Sequence, residues 1–182
     1  MNRRSLLRSL GTLIALPLLP SCSEASDSAT VVATNAAAGS PSAAVVALDK
    51  PHEEWRGLVS AAAYAVLFEE STERAFSSPL NEEKREGTFV CAACYLPVFD
   101  SASKFDSGTG WPSFTQPIAG HVGKKRDFKL VWPRTEYHCA RCGGHQGHVF
   151  DDGPQPRGER WCNNGVALRF VPKDQPLPEL RS

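Results

Sequence analysis

His145-Gln146-Gly147-His148-Val149-Phe150, a Gly/Pro-rich turn, and then Arg160-Trp161-Cys162-Asn163-Asn164 form the stretch whose reading decides this chain. Gly153, Pro154, Pro156 and Gly158 interrupt any regular element between its halves, which leaves two short runs suited to strands at 148–150 and 160–162. Side chains of an extended run alternate, so Arg160, Cys162 and Asn164 would share one face, with Trp161 and Asn163 on the other. A cation, a thiol and an amide then meet on one surface, with His145 and His148 close by in sequence. Arg160 there would favour the thiolate, and Asn164 would offer a hydrogen bond. A single histidine is more often a structural residue; two beside such a face point to proton donors.

Outward from this stretch the texture is the same. Short β-like pieces at 88–91, 97–99, 128–132, 136–139 and 167–171 are bounded by Gly, Pro and Asp. No βαβ rhythm appears, which argues against a parallel doubly wound sheet and favours a mainly β (α+β) domain of antiparallel sheets with short peripheral helices. Residues 53–70 carry the one helical signal: Trp55, Leu58, Val59, Ala62, Val66 and Leu67 fall near one face.

The six cysteines sort by spacing. Cys91-Ala92-Ala93-Cys94 and Cys139-Ala140-Arg141-Cys142 are two CxxC units, and together they complete a closed tetrahedral sphere of four thiolates for zinc, or iron in its place. The competing reading is a pair of disulfides. Each would close a tiny loop and restrict the unfolded chain little, so the metal is favoured. Cys162 then stands alone, a reactive thiol or a liability. The stretch 105–114, with glycines either side of Thr109, would bring an aromatic wall of Trp111 and Phe114 close to a ligand, or form a hydrophobic turn.

The chain has 182 residues and a formal net charge of zero, which argues against a nucleic-acid partner. Paired arginines precede an apolar run at 10–19 that is too short for a permanent span, and the segment resembles a twin-arginine export signal. Leu19-Pro20-Ser21-Cys22 resembles a lipobox. The expectation is a signal segment at 1–22, export to the periplasm and a membrane anchor through lipidated Cys22 alone. Residues 23–50 read as a disordered tether, 51–172 as the catalytic domain and 173–182 as a tail.

The motifs taken together resemble type B peptide methionine sulfoxide reductases (methionine-R-sulfoxide reductases). They are Thr72-Glu73-Arg74-Ala75-Phe76, 87–94, 104–114, Arg134-Thr135-Glu136, Cys139-Ala140-Arg141-Cys142-Gly143, 147–154 and 160–164, in that order, over roughly 55–171. The resemblance implies two antiparallel sheets, structural zinc on Cys91, Cys94, Cys139 and Cys142, and Cys162 as nucleophile. It implies Trp111 against the substrate methyl, and His145, His148, Arg160 and Asn164 around the pocket. The substrates implied are oxidised proteins or peptides. Many members carry a second, resolving cysteine where this chain has Thr109, so a one-cysteine cycle with an external, thioredoxin-like thiol is expected. The rival readings are a non-enzymatic zinc-ribbon binding module and a cysteine hydrolase using Cys162, His148 and Asn164. The hydrolase would need an oxyanion hole, and no helix start beside Cys162 supplies one.

Overall fold

Ser60 opens the one α-helix among the described residues: its hydroxyl accepts from the Ala63 amide at 3.1 Å, and α1 runs Ala61–Glu69. The helix is half the length that the pattern over 53–70 suggests. Gly57 sits at φ +83, which breaks the backbone between a 3-10 turn at His52–Trp55 and the helix proper. The computed structural model describes residues 44–129 and 132–182. The signal segment, Cys22 and tether residues 23–43 lie outside the described residues.

Among the described residues nine strands form two sheets. They are β1 (Gly87–Cys91), β2 (Pro97–Asp100), β3 (Lys104–Phe105), β4 (Ser113–Phe114), β5 (Val122–Asp127), β6 (Arg134–Cys139), β7 (His145–Phe150), β8 (Arg160–Asn163) and β9 (Leu168–Pro172). The small sheet has the order β2-β1-β9 and the large one β3-β4-β8-β7-β6-β5. Every pairing within them is antiparallel. The two-sheet, mainly β architecture expected from the sequence is what the chain adopts.

One strand moves. The apolar run at 128–132 is not a strand where it is described; Phe128 and Trp132 are exposed and belong to the β5–β6 connection. The strand lies before it, in Val122–Asp127, whose charged side chains suit the exposed edge of a sheet.

The core lies where the inner faces of the two sheets meet. Phe99 of β2 stacks on Phe114 of β4 with centroids 4.0 Å apart, and Phe89 of β1 meets Phe114 edge-on. Tyr137 and Trp161 continue the cluster in T-shaped contact. Phe114 is therefore a core residue with no exposed surface, not half of a substrate wall.

Both terminal segments join this body. Val45 and Leu48 pack on the core, and the Leu48 amide donates to the Arg141 carbonyl at 2.6 Å, so residues 44–50 lie against the folded body. At the other end the Arg181 amide donates to the Cys94 carbonyl at 3.0 Å and its guanidinium covers the Tyr95 ring at 4.1 Å. The C-terminal tail at 173–182 therefore lies against the fold through Arg181.

Candidate active site

Register builds the site. Lys125, Glu136, His148, Cys162, Ser113 and Phe105 are successive cross-strand partners from β5 through β6, β7, β8 and β4 to β3. Directly paired residues of antiparallel strands project to the same face, so these six side chains form one row on the face opposite the core. His148 and Cys162 are neighbours in that row. Gly147, one residue earlier, lies under the Cys162–Asn163 peptide: a Cβ there would stand 1.9 Å from the Cys162 carbonyl oxygen.

The thiol opens onto a cleft of about 120 Å³. Trp111 and Phe150 supply its aromatic walls, His148 and Arg134 its polar ones, and Thr72 its rim. Trp111 is fixed by its indole N–H, which donates to the Glu73 carbonyl at 3.1 Å. The Glu73 carboxylate in turn accepts from the amides of Gly165 and Val166. Burial pushes the Cys162 thiol up, and the Arg160 guanidinium beside it pulls in the opposite direction. Arg160 is buried, held by a two-point pair with Asp152 (2.8 and 3.0 Å) and laid over the Phe150 ring at 4.4 Å.

The two histidines have different fates. His148 lines the cleft, and its Nε2 is 2.7 Å from Asp127 Oδ2. Burial lowers its affinity for a proton, and the Asp127 carboxylate restores part of it. Asp127 also accepts from Arg134 Nη2 at 2.7 Å, so one carboxylate serves both groups, and its own pKa is held far below the usual range. His145 sits behind, buried, its Nδ1 2.8 Å from Glu136 Oε1, and burial lowers its pKa to about 4. It is neutral at physiological pH and stands behind the residues that line the cleft, where its hydrogen bond to Glu136 braces β7 against β6.

Asn164 lines the cleft. Its side-chain amide donates to the Gln146 carbonyl at 3.0 Å, and its oxygen accepts from the Glu73 amide at 3.0 Å. It touches the cleft, but its hydrogen bonds tie the end of β8 to β7 and to the loop that holds Trp111. The alternation that would group Arg160, Cys162 and Asn164 ends with β8 at Asn163.

Asp127, Arg134 and Glu136 are the site residues that residue chemistry alone does not single out. Arg134 and Glu136 lie inside a family-like motif without an evident role. Asp127 gives no local signal, because only the β5–β6 pairing sets it beside His148.

The four knuckle cysteines converge. Cys91 and Cys142 are 3.6 Å apart at Sγ, Cys94 and Cys139 3.5 Å, and all four sulfurs lie within 4.8 Å of one another. A disulfide requires about 2.05 Å. A tetrahedron of thiolates about 2.3 Å from a metal has edges of roughly 3.8 Å, which these separations fit. The knuckles are built alike: the Tyr95 amide donates to Cys91 O and the Gly143 amide to Cys139 O, both at 3.0 Å. Each amide belongs to a residue at positive φ, +63 for Tyr95 and +72 for Gly143.

A reachable thiol beside an ionisable imidazole, an arginine and an indole, on a β scaffold pinned by a cysteine cluster, is the layout of a thiol-dependent enzyme. A SelR domain model matches residues 59–172. The chain is 52% identical over 125 residues to the peptide methionine sulfoxide reductase MsrB of Bradyrhizobium diazoefficiens, covering 68% of this chain and 90% of that one. It is 49% identical over 128 residues to the protein of the same name in Pseudomonas putida (70% and 96%). Over 118 residues it is 46% identical to the chloroplastic peptide methionine sulfoxide reductase B1 of Arabidopsis thaliana (64% and 58%). The chain belongs to the SelR-domain family, the type B methionine sulfoxide reductases.

Proposed function

We propose that this chain reduces methionine-R-sulfoxide in polypeptides to methionine, with Cys162 as the nucleophile. The observation that carries the reading is the register pair of Cys162 and His148 in a cleft walled by Trp111. A sulfoxide presents an electrophilic sulfur, a basic oxygen and an apolar methyl, and these three groups match that set. His148 takes the thiol proton as Cys162 attacks the substrate sulfur and returns a proton to the sulfoxide oxygen. Attack joins Cys162 Sγ to the substrate sulfur and the substrate S–O bond breaks. The hydroxide so released adds to Cys162 Sγ, the S–S bond breaks, and methionine leaves with the electron pair. Cys162 is then a sulfenic acid, having given up the two electrons that the substrate gains. Trp111 opposite a fixed proton donor accepts one epimer at the chiral sulfur, the R form.

The sulfenic acid is then cleared from outside. Among the described residues every other cysteine belongs to the buried knuckle cluster, and Thr109 bonds Ser107 Oγ at 2.9 Å. An external thiol of thioredoxin-like character releases water and forms a mixed disulfide with Cys162, and a second thiol frees the enzyme. Zinc on Cys91, Cys94, Cys139 and Cys142 would leave no open ligand position, so its contribution is to hold β1 and β6 together. The twin-arginine-like segment and the lipobox-like Leu19-Pro20-Ser21-Cys22 support a periplasmic enzyme anchored by lipid.

The test is turnover of a peptide methionine-R-sulfoxide with dithiothreitol by wild type and Cys162→Ser. Wild type turns over and the variant does not. An inactive, metal-replete wild type, or an active variant, refutes the reading.

A further inference from the structure

The cleft is not the only concave surface that Trp111 lines. A second groove of about 310 Å³ lies beside it, with Phe76, Phe105, Trp111 and Pro112 as its apolar lining and Asn81 and the charged Glu82, Lys104 and Asp106 among its polar residues. The loop that puts Thr72 on the rim of the cleft and holds Trp111 through Glu73 continues directly to Phe76 in the groove. The two surfaces are thus joined by one loop and one indole.

Phe76 is placed there against its backbone preference. It is 73% exposed and sits at φ +63, a region that non-glycine residues rarely adopt. Its amide donates to the Gly110 carbonyl at 2.7 Å, and the same carbonyl accepts from Asn81 Nδ2 at 3.0 Å. Gly110 itself is at φ +90, and a Cβ on it would meet the Phe76 ring at 2.8 Å. A large apolar ring is therefore pinned open to solvent by a strained backbone, next to Trp111. Strain retained in this way, with no burial to offset it, marks a surface that contacts something.

We infer that this groove is a subsite for the polypeptide flanking the oxidised methionine, and that Phe76 selects substrates with an apolar residue within two positions of it. The inference rests on the reduction assigned above. With the sulfoxide against Trp111, consecutive Cα atoms of the substrate are about 3.8 Å apart. A residue one or two positions along an extended chain therefore falls beyond the indole, where the groove begins. The aromatic lining fits an aliphatic or aromatic side chain.

The experiment measures kcat/KM for three R-sulfoxide substrates: N-acetylmethionine sulfoxide N-methylamide, a pentapeptide with glycine on both sides, and the same peptide with leucine on both sides. Wild type favours the leucine peptide over the glycine peptide by roughly tenfold, the gain expected from burying part of one leucine side chain. Phe76→Ala brings that ratio close to one, and Phe76→Tyr, which keeps the ring, restores it. A ratio near one in wild type, or an undiminished ratio in Phe76→Ala, overturns the proposal. Failure to turn over even the bare amide would overturn the assigned reaction itself, a result distinct from a flat preference. Circular dichroism of each variant confirms that the exposed ring is not needed for folding.

Discussion

Exchanging Asp127 for asparagine keeps the shape of the side chain and removes its charge. In the wild type one Asp127 oxygen lies 2.7 Å from both His148 Nε2 and Arg134 Nη2, and the carboxylate remains ionised. Burial and Arg134 push His148 toward its neutral form, and Asp127 is the main group resisting them. A hydrogen bond to a charged group contributes about 1.5–3 kcal/mol. Losing it makes the imidazolium, which forms when His148 takes the Cys162 proton, less favourable by about 10–100-fold. If His148 supplies the proton to the departing oxygen, kcat at neutral pH drops by the same factor. The pH range over which kcat declines shifts downward, and KM changes little. The assay is a pH series of steady-state rates on a peptide R-sulfoxide, with the His148 ring followed by NMR. A kcat that is unchanged across the series while the His148 resonance does shift would refute the assignment of His148 as proton donor.

Gly147→Ala places a methyl 1.9 Å from a backbone oxygen that cannot rotate away, so β7 and β8 must part. We expect a loss of about 3 kcal/mol or more in urea unfolding and a loss of activity greater than stability alone explains. Stripping the cysteine cluster with a thiol-reactive mercurial and a chelator should release one metal ion per chain, read by a colorimetric dye, and broaden the unfolding transition. Acid destabilisation has an assignable part. His145 has its folded pKa lowered to about 4, so the unfolded chain binds the proton first as pH falls below about 6.5. Stability contributed by neutral His145 is full at neutral pH and is lost between roughly pH 6.5 and 4. The loss is on the order of 3 kcal/mol, and His145→Gln should flatten it in denaturant titrations at stepped pH.

Residues whose chemistry dictates their spacing are legible in the sequence itself. A CxxC unit must offer both sulfurs to one ion, and a solitary cysteine between an arginine and two asparagines has few uses. Pairing across the sheet is not legible, because it depends on partners distant in the chain. Phe114 and Trp111 look equivalent as aromatic neighbours, yet β4 turns Phe114 into the core while Trp111 lies just before the strand. His145 and His148 look like a pair, yet the register slips between Tyr137 and His138, and only His148 is set opposite Cys162. The strand at Val122–Asp127 escapes a search for apolar alternation because its burial is poor and its side chains are mostly charged, which is what an edge permits.

Leu48 on one knuckle and Arg181 on the other mean that the two ends of the folded body close over the thiolate knot like a drawstring. Anyone preparing this protein decides its chelator resistance when choosing where to cut or tag it. A fusion placed directly after Ser182, or a trim reaching past residue 48, loosens the wrapping around a centre far away in the sequence. Its first symptom would be metal leakage, well before any fault in the reaction itself.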